Sequence, residues 1–305
     1  MNMSVGFIGL GQMGKPMASN MARKGVALTV FDTQSAACDS VAGHGAQIAR
    51  TAAELAAACS IIFTMLPGPP QVRSVILEEL LPHLGPASLV VDMSTVDPWT
   101  TDEVGEALRA VGHRFIDAPV GRTTTFAEKG ESLFMVGAEA EDFDAVRPLL
   151  ETMGTTIIHC GRPGTGTRVK IVNNFVAVSH CQLDAEALAL GAAFGLDVDT
   201  ELEVLNGTLA TNGFLAVGFK QKTLVGDIEP GFRIDLAHKD ISIAIDAANR
   251  LALPLTMGAS VREALNVARA RGYGGKDFTG LLDNLVEMAG LEKPLLKAAK
   301  SENDR

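Results

Sequence analysis

The sequence predicts an α/β protein, with an N-terminal Rossmann-like doubly wound sheet followed by an all-α C-terminal domain. Three observations carry this. Short apolar strands alternate with helical stretches from Val5 to Cys160. A glycine pattern, Gly9-Leu10-Gly11-Gln12-Met13-Gly14, stands between the first strand and the first helix. After Gly164 the strand signals stop and helical patterns take over. We place the sheet domain over residues 1–162 and the helical domain over 163–305, beginning with a long interdomain helix.

Composition narrows the class. The 305 residues are 47% hydrophobic and 20% charged, enough to bury real cores in about two domains. Aromatics are only 5%, so alanine, leucine and glycine carry the packing, which suits closely apposed helices. A net charge of −10 argues against nucleic acid as a partner, and an anionic substrate then needs a local basic cluster. Cys38, Cys59, Cys160 and Cys181 lack metal or redox spacing, so reduced thiols in a cytoplasmic protein and no metal site are expected. The N-terminus reads as a strand and not a signal peptide, and no apolar run suits a membrane span.

Residues 5–9 read as a buried parallel strand, 15–24 as a helix stopped by Gly25, and 27–32 as a second strand. In that context Gly9 makes the tight turn, Gly11 lets a pyrophosphate approach the backbone, and Gly14 lets helix and strand pack. Backbone N–H groups of Gln12 and Met13 then face the diphosphate. Asp32 ends the second strand, where a carboxylate accepts from the adenosine ribose and repels a 2′-phosphate. Thr33-Gln34-Ser35 supplies no arginine for such a phosphate, so the expected cofactor is NAD(H).

The alternation continues with helix 35–43, strand 46–48, helix 52–57 and strand 60–66, stopped by Pro67-Gly68-Pro69-Pro70. Loops at the carboxyl ends of strands line the ligand crevice, which sets Met65, Leu66 and Pro67 against the cofactor. The strand from Ser88 to Asp92 delivers the hydroxyls of Ser94 and Thr95. Thr95 suits the nicotinamide or its ribose, and residues 94–97 also suit an N-cap for helix 98–111. Strand 114–117 turns through Pro119 and Gly121, leaving Arg122 in a loop of Thr123, Thr124 and Thr125. Strand 131–137, helix 141–153 and strand 155–160 complete the domain.

Gly164-Thr165-Gly166 opens the next helix, on which Lys170, Asn173 and Asn174 share a face. An amine beside two amides can hold an oxygen-rich small molecule and hand its oxygen a proton. The plainer alternative is a lysine snorkelling from a helix start. The helix runs from 167 to about 196, broken near 191–195. It is apolar on most faces and so should be buried on most faces, by other helices or by a second subunit in a homodimer or homotetramer. Helices at 200–206, 238–251, 259–271 and 278–289 follow, with Lys239 at a helix start and a polar, frayed tail over 301–305.

Taken in order, Gly9–Gly14, Asp92-Met-Ser-Thr95, Asp117-Ala-Pro-Val120, Gly164-x-Gly-x-x-x-Lys170-x-x-Asn-Asn174 and His238-Lys239-Asp240 resemble the β-hydroxyacid dehydrogenases over nearly the whole chain. The resemblance implies hydride transfer between NAD and a small anionic aldehyde or hydroxyacid, with Lys170 as the catalytic residue. It implies that Asn173 and Asn174 bind substrate or support the lysine, and that Thr95 and Lys239 contact cofactor. The family pattern follows Asp-Ala-Pro-Val with Ser-Gly-Gly, whereas this chain has Gly121-Arg122-Thr123. That variant resembles the branch acting on a sulfonated aldehyde, in which an arginine at the position of Arg122 helps bind the sulfonate. A guanidinium fork suits a three-oxygen anion. The same branch carries a serine where this chain has Ala177, so a hydroxyl is missing unless Ser179 or residues 123–125 replace it. The candidate substrate side is thus Ser94, Gly121, Arg122, Thr123, Asn173, Asn174 and Ala177. Imine reductases share the architecture but lack the lysine, and a non-catalytic dinucleotide-binding protein would not need it.

Overall fold

The computed structural model describes residues 4–299, so the expected tail over 301–305 lies outside the described residues. The chain forms two compact units, one up to Ile171 and one from Val172 on. In the first, β1 (Val5–Ile8), α1 (Gly14–Arg23), β2 (Leu28–Phe31), α2 (Ser35–Ala42), β3 (Gln47–Ile48), α3 (Ala52–Ala58) and β4 (Ile61–Thr64) follow the expected alternation. Then come α4 (Pro69–Arg73), β5 (Leu89–Asp92), α5 (Pro98–Ala110), β6 (Arg114–Asp117), β7 (Val120–Gly121), α6 (Thr124–Lys129), β8 (Ser132–Gly137), α7 (Ala140–Leu150) and β9 (Gly154–Gly161).

The sheet runs β3-β2-β1-β4-β5-β6, all parallel, and continues to β8. Every residue of β1, β4 and β5 is buried, as apolar runs covered by helices on both faces must be. One core layer holds Phe7, Phe63, Val91 and Phe134, and the other holds Ile62, Val90, Leu55 and Leu108. The register pairs Ile8 with Thr64, Thr64 with Asp92 and Asp92 with Asp117, so these residues form one row at the carboxyl edge.

One local expectation fails in this unit, and two features go beyond the sequence reading. The proline run after β4 does more than stop a strand: Pro69 and Pro70 start α4, because the first helical turn needs no proline N–H. Of residues 123–125 only Thr123 is loop, since Thr124 and Thr125 begin α6. β8 lies antiparallel to β6 and β7.

Helix α8 (Thr165–Ala193) starts in the first unit and continues into the second. The second unit adds α9 (Val198–Asn206), α10 (Phe219–Gln221), α11 (Ile234–Arg250), α12 (Thr256–Ala270) and α13 (Leu281–Ala289). Its core gathers Val178, Cys181, Leu188, Leu202, Phe219, Ile241, Leu265 and Leu282. Phe278 meets Phe214 and Phe232 edge-on, at 5.1 and 5.3 Å between ring centres. Helix α8 ends at Ala193, inside the expected break at 191–195, and Gly195 turns the chain with φ +71. Within this one chain Val172, Leu183 and Leu190 of α8 are 64%, 55% and 55% exposed, so its own helices do not cover every apolar face. Among the described residues no helix is long and apolar enough to cross a membrane.

Candidate active site

The glycine turn has the geometry its sequence predicts. Gly9 takes φ +92. A Cβ at Gly14 would collide with the Gly9 carbonyl, so helix and strand pack only without one. A Cβ at Gly11, by contrast, would meet no atom within 4 Å. No side chain caps the N-terminus of α1 at Met13, and Gln12 is exposed. The Leu10 N–H donates to Asp32 Oδ2 at 2.6 Å, and Gln34 N–H donates to Oδ1 at 2.8 Å. Asp32 therefore braces the turn as well as presenting a carboxylate at the end of β2. Open space at Gly11, uncapped N–H groups and that carboxylate fit a dinucleotide.

At the next strand ends Met65 and Leu66 are half-buried and Pro67 is exposed. Ser94 is 1% exposed, and its hydroxyl donates to Asp92 Oδ1 at 2.6 Å and accepts from Leu66 N–H at 2.8 Å. With its donor and one acceptor site engaged, it holds the loop. Thr64 Oγ1 donates to the same Asp92 at 2.8 Å, and burial pushes that carboxyl above its usual value. Thr95 is half-buried beside it, and Asp97 supplies the N-cap of α5 by accepting from Trp99 and Thr100 N–H at 3.1 and 3.0 Å.

Lys170 is 8% exposed, and its Nζ donates to the Val120 carbonyl at 2.7 Å. A snorkelling lysine would reach water; this one is folded inward against β7. Gly121 beside it is buried. Arg122 has φ +71, a left-handed conformation costing roughly 1 kcal/mol for a residue with a Cβ. The family pattern has glycine there. The Arg122 fork donates to the Glu131 carbonyl, to Thr155 Oγ1 at 3.2 Å and to Thr156 Oγ1 at 3.1 Å, and lies over Phe126 at 5.4 Å. The arginine is exposed, and Thr123 beside it is half-buried.

In the second unit, exposed Asn173 donates to Asn174 Oδ1 at 3.0 Å, and Asn174, 7% exposed, donates to Asp240 Oδ2 at 2.5 Å. Lys239 Nζ pairs with Asp240 Oδ1 at 3.2 Å. Asp240 thus joins Lys239 to Asn174. Lys239 is not at a helix start, since α11 begins five residues earlier at Ile234. His238 is held below its usual pKa by burial, then by nearby Arg269, as befits a structural imidazole. Lys170, Asn173, Asn174 and half-buried Ala177 fall at i, i+3, i+4 and i+7 of α8, one stripe. Ser179 lies about two and a half turns beyond Lys170, on the opposite side, so it does not stand in for a hydroxyl at Ala177.

The fold and the glycine turn define a dinucleotide-binding protein. Residues 4–161 match the family described as the NAD binding domain of 6-phosphogluconate dehydrogenase. Residues 164–285 match the NAD-binding family of NADP-dependent 3-hydroxyisobutyrate dehydrogenase. The chain is 40% identical to the 3-sulfolactaldehyde reductase of Escherichia coli (strain K12), over 94% of this chain and 97% of the reductase. It is 35% identical to the 2-(hydroxymethyl)glutarate dehydrogenase of Eubacterium barkeri, over 95% of this chain and 97% of that protein. The solved 3-hydroxyisobutyrate dehydrogenase of Mycobacterium tuberculosis with L-serine superimposes with a TM-score of 0.87 at 29% identity, covering 93% and 99% of the two chains. The chain belongs to the β-hydroxyacid dehydrogenase family.

Proposed function

We propose that this enzyme reduces 3-sulfolactaldehyde to 2,3-dihydroxypropane-1-sulfonate with NADH. The observation that carries the reading is the inward Lys170 amine at β7, next to an arginine where the family pattern has glycine. Bound NADH supplies the hydride. Lys170, as ammonium, donates a hydrogen bond and then its proton to the aldehyde oxygen, and takes it back in the reverse direction. Asn173 and Asn174 bind the substrate's oxygens or brace the lysine, while Thr95 and Lys239 contact cofactor. Arg122 anchors the distal anion. Its present acceptors are a carbonyl and two hydroxyls, all neutral, so an anion offers it stronger charge-assisted bonds.

Asp32 and the missing arginine after it support NADH over NADPH. The similarity to the Escherichia coli reductase supports the sulfonate. A carboxylate in its place gives the alternative: 3-hydroxyisobutyrate, 4-hydroxybutyrate or tartronate semialdehyde chemistry. Four free cysteines support a reducing, cytoplasmic setting. The exposed apolar residues along α8 support burial by a second copy, and a monomeric mass in solution would overturn that part.

The test is steady-state NADH oxidation with 3-sulfolactaldehyde beside succinic, methylmalonate and tartronate semialdehydes. The sulfonate should give the highest kcat/KM; a carboxylate ahead of it by tenfold or more would replace it. Arg122→Ala should raise KM for the preferred anion roughly tenfold or more and leave a neutral aldehyde nearly unchanged.

A further inference from the structure

The N-terminus of α8 is already filled. Asp117, 1% exposed at the end of β6, accepts from Gly164 N–H at 2.5 Å and from Thr167 N–H at 2.6 Å. Those are N–H groups of the first turn, which have no partner within a helix. The Thr167 hydroxyl lies 3.0 Å from that of Thr101 on α5. Gly166 closes the joint, for a Cβ there would collide with the Met135 carbonyl. Three residues beyond Thr167, Lys170 reaches back to Val120, three residues beyond Asp117. Segment 117–120 and the first turn and a half of α8 are thus tied at both ends, by a carboxylate at one and an amine at the other.

We propose that Asp117 is a positioning residue for Lys170: by holding the first turn of α8 against the end of β6, it fixes where the amine stands relative to β7 and the residues after it. It also closes this helix N-terminus to a substrate anion. The inference rests on the reading of Lys170 as proton donor. An amine displaced by about an ångström still binds but transfers its proton poorly.

Three variants test it: Asp117→Ala, the near-isosteric Asp117→Asn, and Lys170→Ala. Turnover of 3-sulfolactaldehyde and of succinic semialdehyde is expressed per titrated NADH-binding site, so that misfolded protein does not count. Backbone hydrogen exchange is followed in parallel on peptides covering residues 164–170 and 14–23. Asp117→Ala should lower kcat on the order of a hundredfold, with KM values moving less than threefold. Exchange over 164–170 should speed at least roughly tenfold while 14–23 stays unchanged. Asp117→Asn should fall between, since one amide oxygen can accept only part of what two carboxylate oxygens accept. Unchanged exchange over 164–170 in both variants overturns the proposal, as does unchanged kcat per binding site while Lys170→Ala is dead. Wild-type turnover by Lys170→Ala would instead remove the role of Lys170, with the exchange data still deciding whether Asp117 holds the helix.

Discussion

Helices α1 and α8 both open on glycines directly after a strand, and their N-termini are finished in opposite ways. At α1 the chain leaves the end open: a Cβ at Gly11 would find no neighbour, and no side chain caps Met13. At α8 it fills the end with its own carboxylate, Asp117, and presses Gly166 against a carbonyl. The same local signal, glycines at a strand-to-helix turn, therefore builds a cradle in one place and a joint in the other. The difference lies in what the neighbouring strand brings. Asp32 at the end of β2 braces the α1 turn from outside through Leu10 N–H, whereas Asp117 at the end of β6 points into the helix itself.

The sharpest way to break the contrast is to add one methyl group at each end. Gly166→Ala drives a Cβ into backbone that cannot step aside, so it should destabilise the fold by about 3 kcal/mol and drop the thermal midpoint by several degrees. Gly11→Ala has open space, and should leave the thermal midpoint of the cofactor-free protein within about 1 °C. It should weaken NADH roughly tenfold or more, read by titration, because the methyl group occupies the room left for the diphosphate. A folded, stable Gly166→Ala would show that the joint is slack. Undiminished NADH affinity in Gly11→Ala would show that the cradle is not where cofactor lies.

The α1 side was almost fully legible in the sequence, because strand, G-x-G-x-x-G, helix and acidic residue are consecutive and local. The α8 side was legible only in part. Lys170 and the asparagine pair could be read from helical spacing, but the partner of the Gly164 turn comes from Asp117, 47 residues away in sequence. Only strand register puts Asp117 beside it. The partners of Ser94 are hidden for the same reason: the fold, not the local sequence, brings Asp92 and Leu66 N–H to its hydroxyl. Arg122 could be placed after the strand ending at Asp117, but its docking on Thr155 and Thr156 depends on β9 lying beside β8, which no local pattern announces. The apolar run of α8 was legible, but such a sequence does not say whether the covering surface belongs to the same chain.

A smaller effect sharpens the comparison further by asking what form the Asp117 plug takes. Burial is the strongest influence on this carboxyl and pushes it up from 3.8 to about 7, against the pull of the Thr167 and Gly164 donors. Between those values the native protein holds a proton that the unfolded chain has released. The contribution of Asp117 to stability is therefore complete below about pH 4, and it fades as pH rises through about 7. Asp197 and Asp227, held low by Lys297 and Lys222, act with the opposite sign and below this window. Asp117→Asn cannot titrate, so its deficit relative to wild type should shrink between pH 4 and pH 8, by on the order of 5 °C in thermal midpoint. Parallel curves would mean that Asp117 does not titrate in this range. A deficit that grows with pH would mean that the helix donors outweigh burial. The plug would then be a carboxylate throughout, and α8 would hold permanently the kind of anion that α1 leaves for its cofactor.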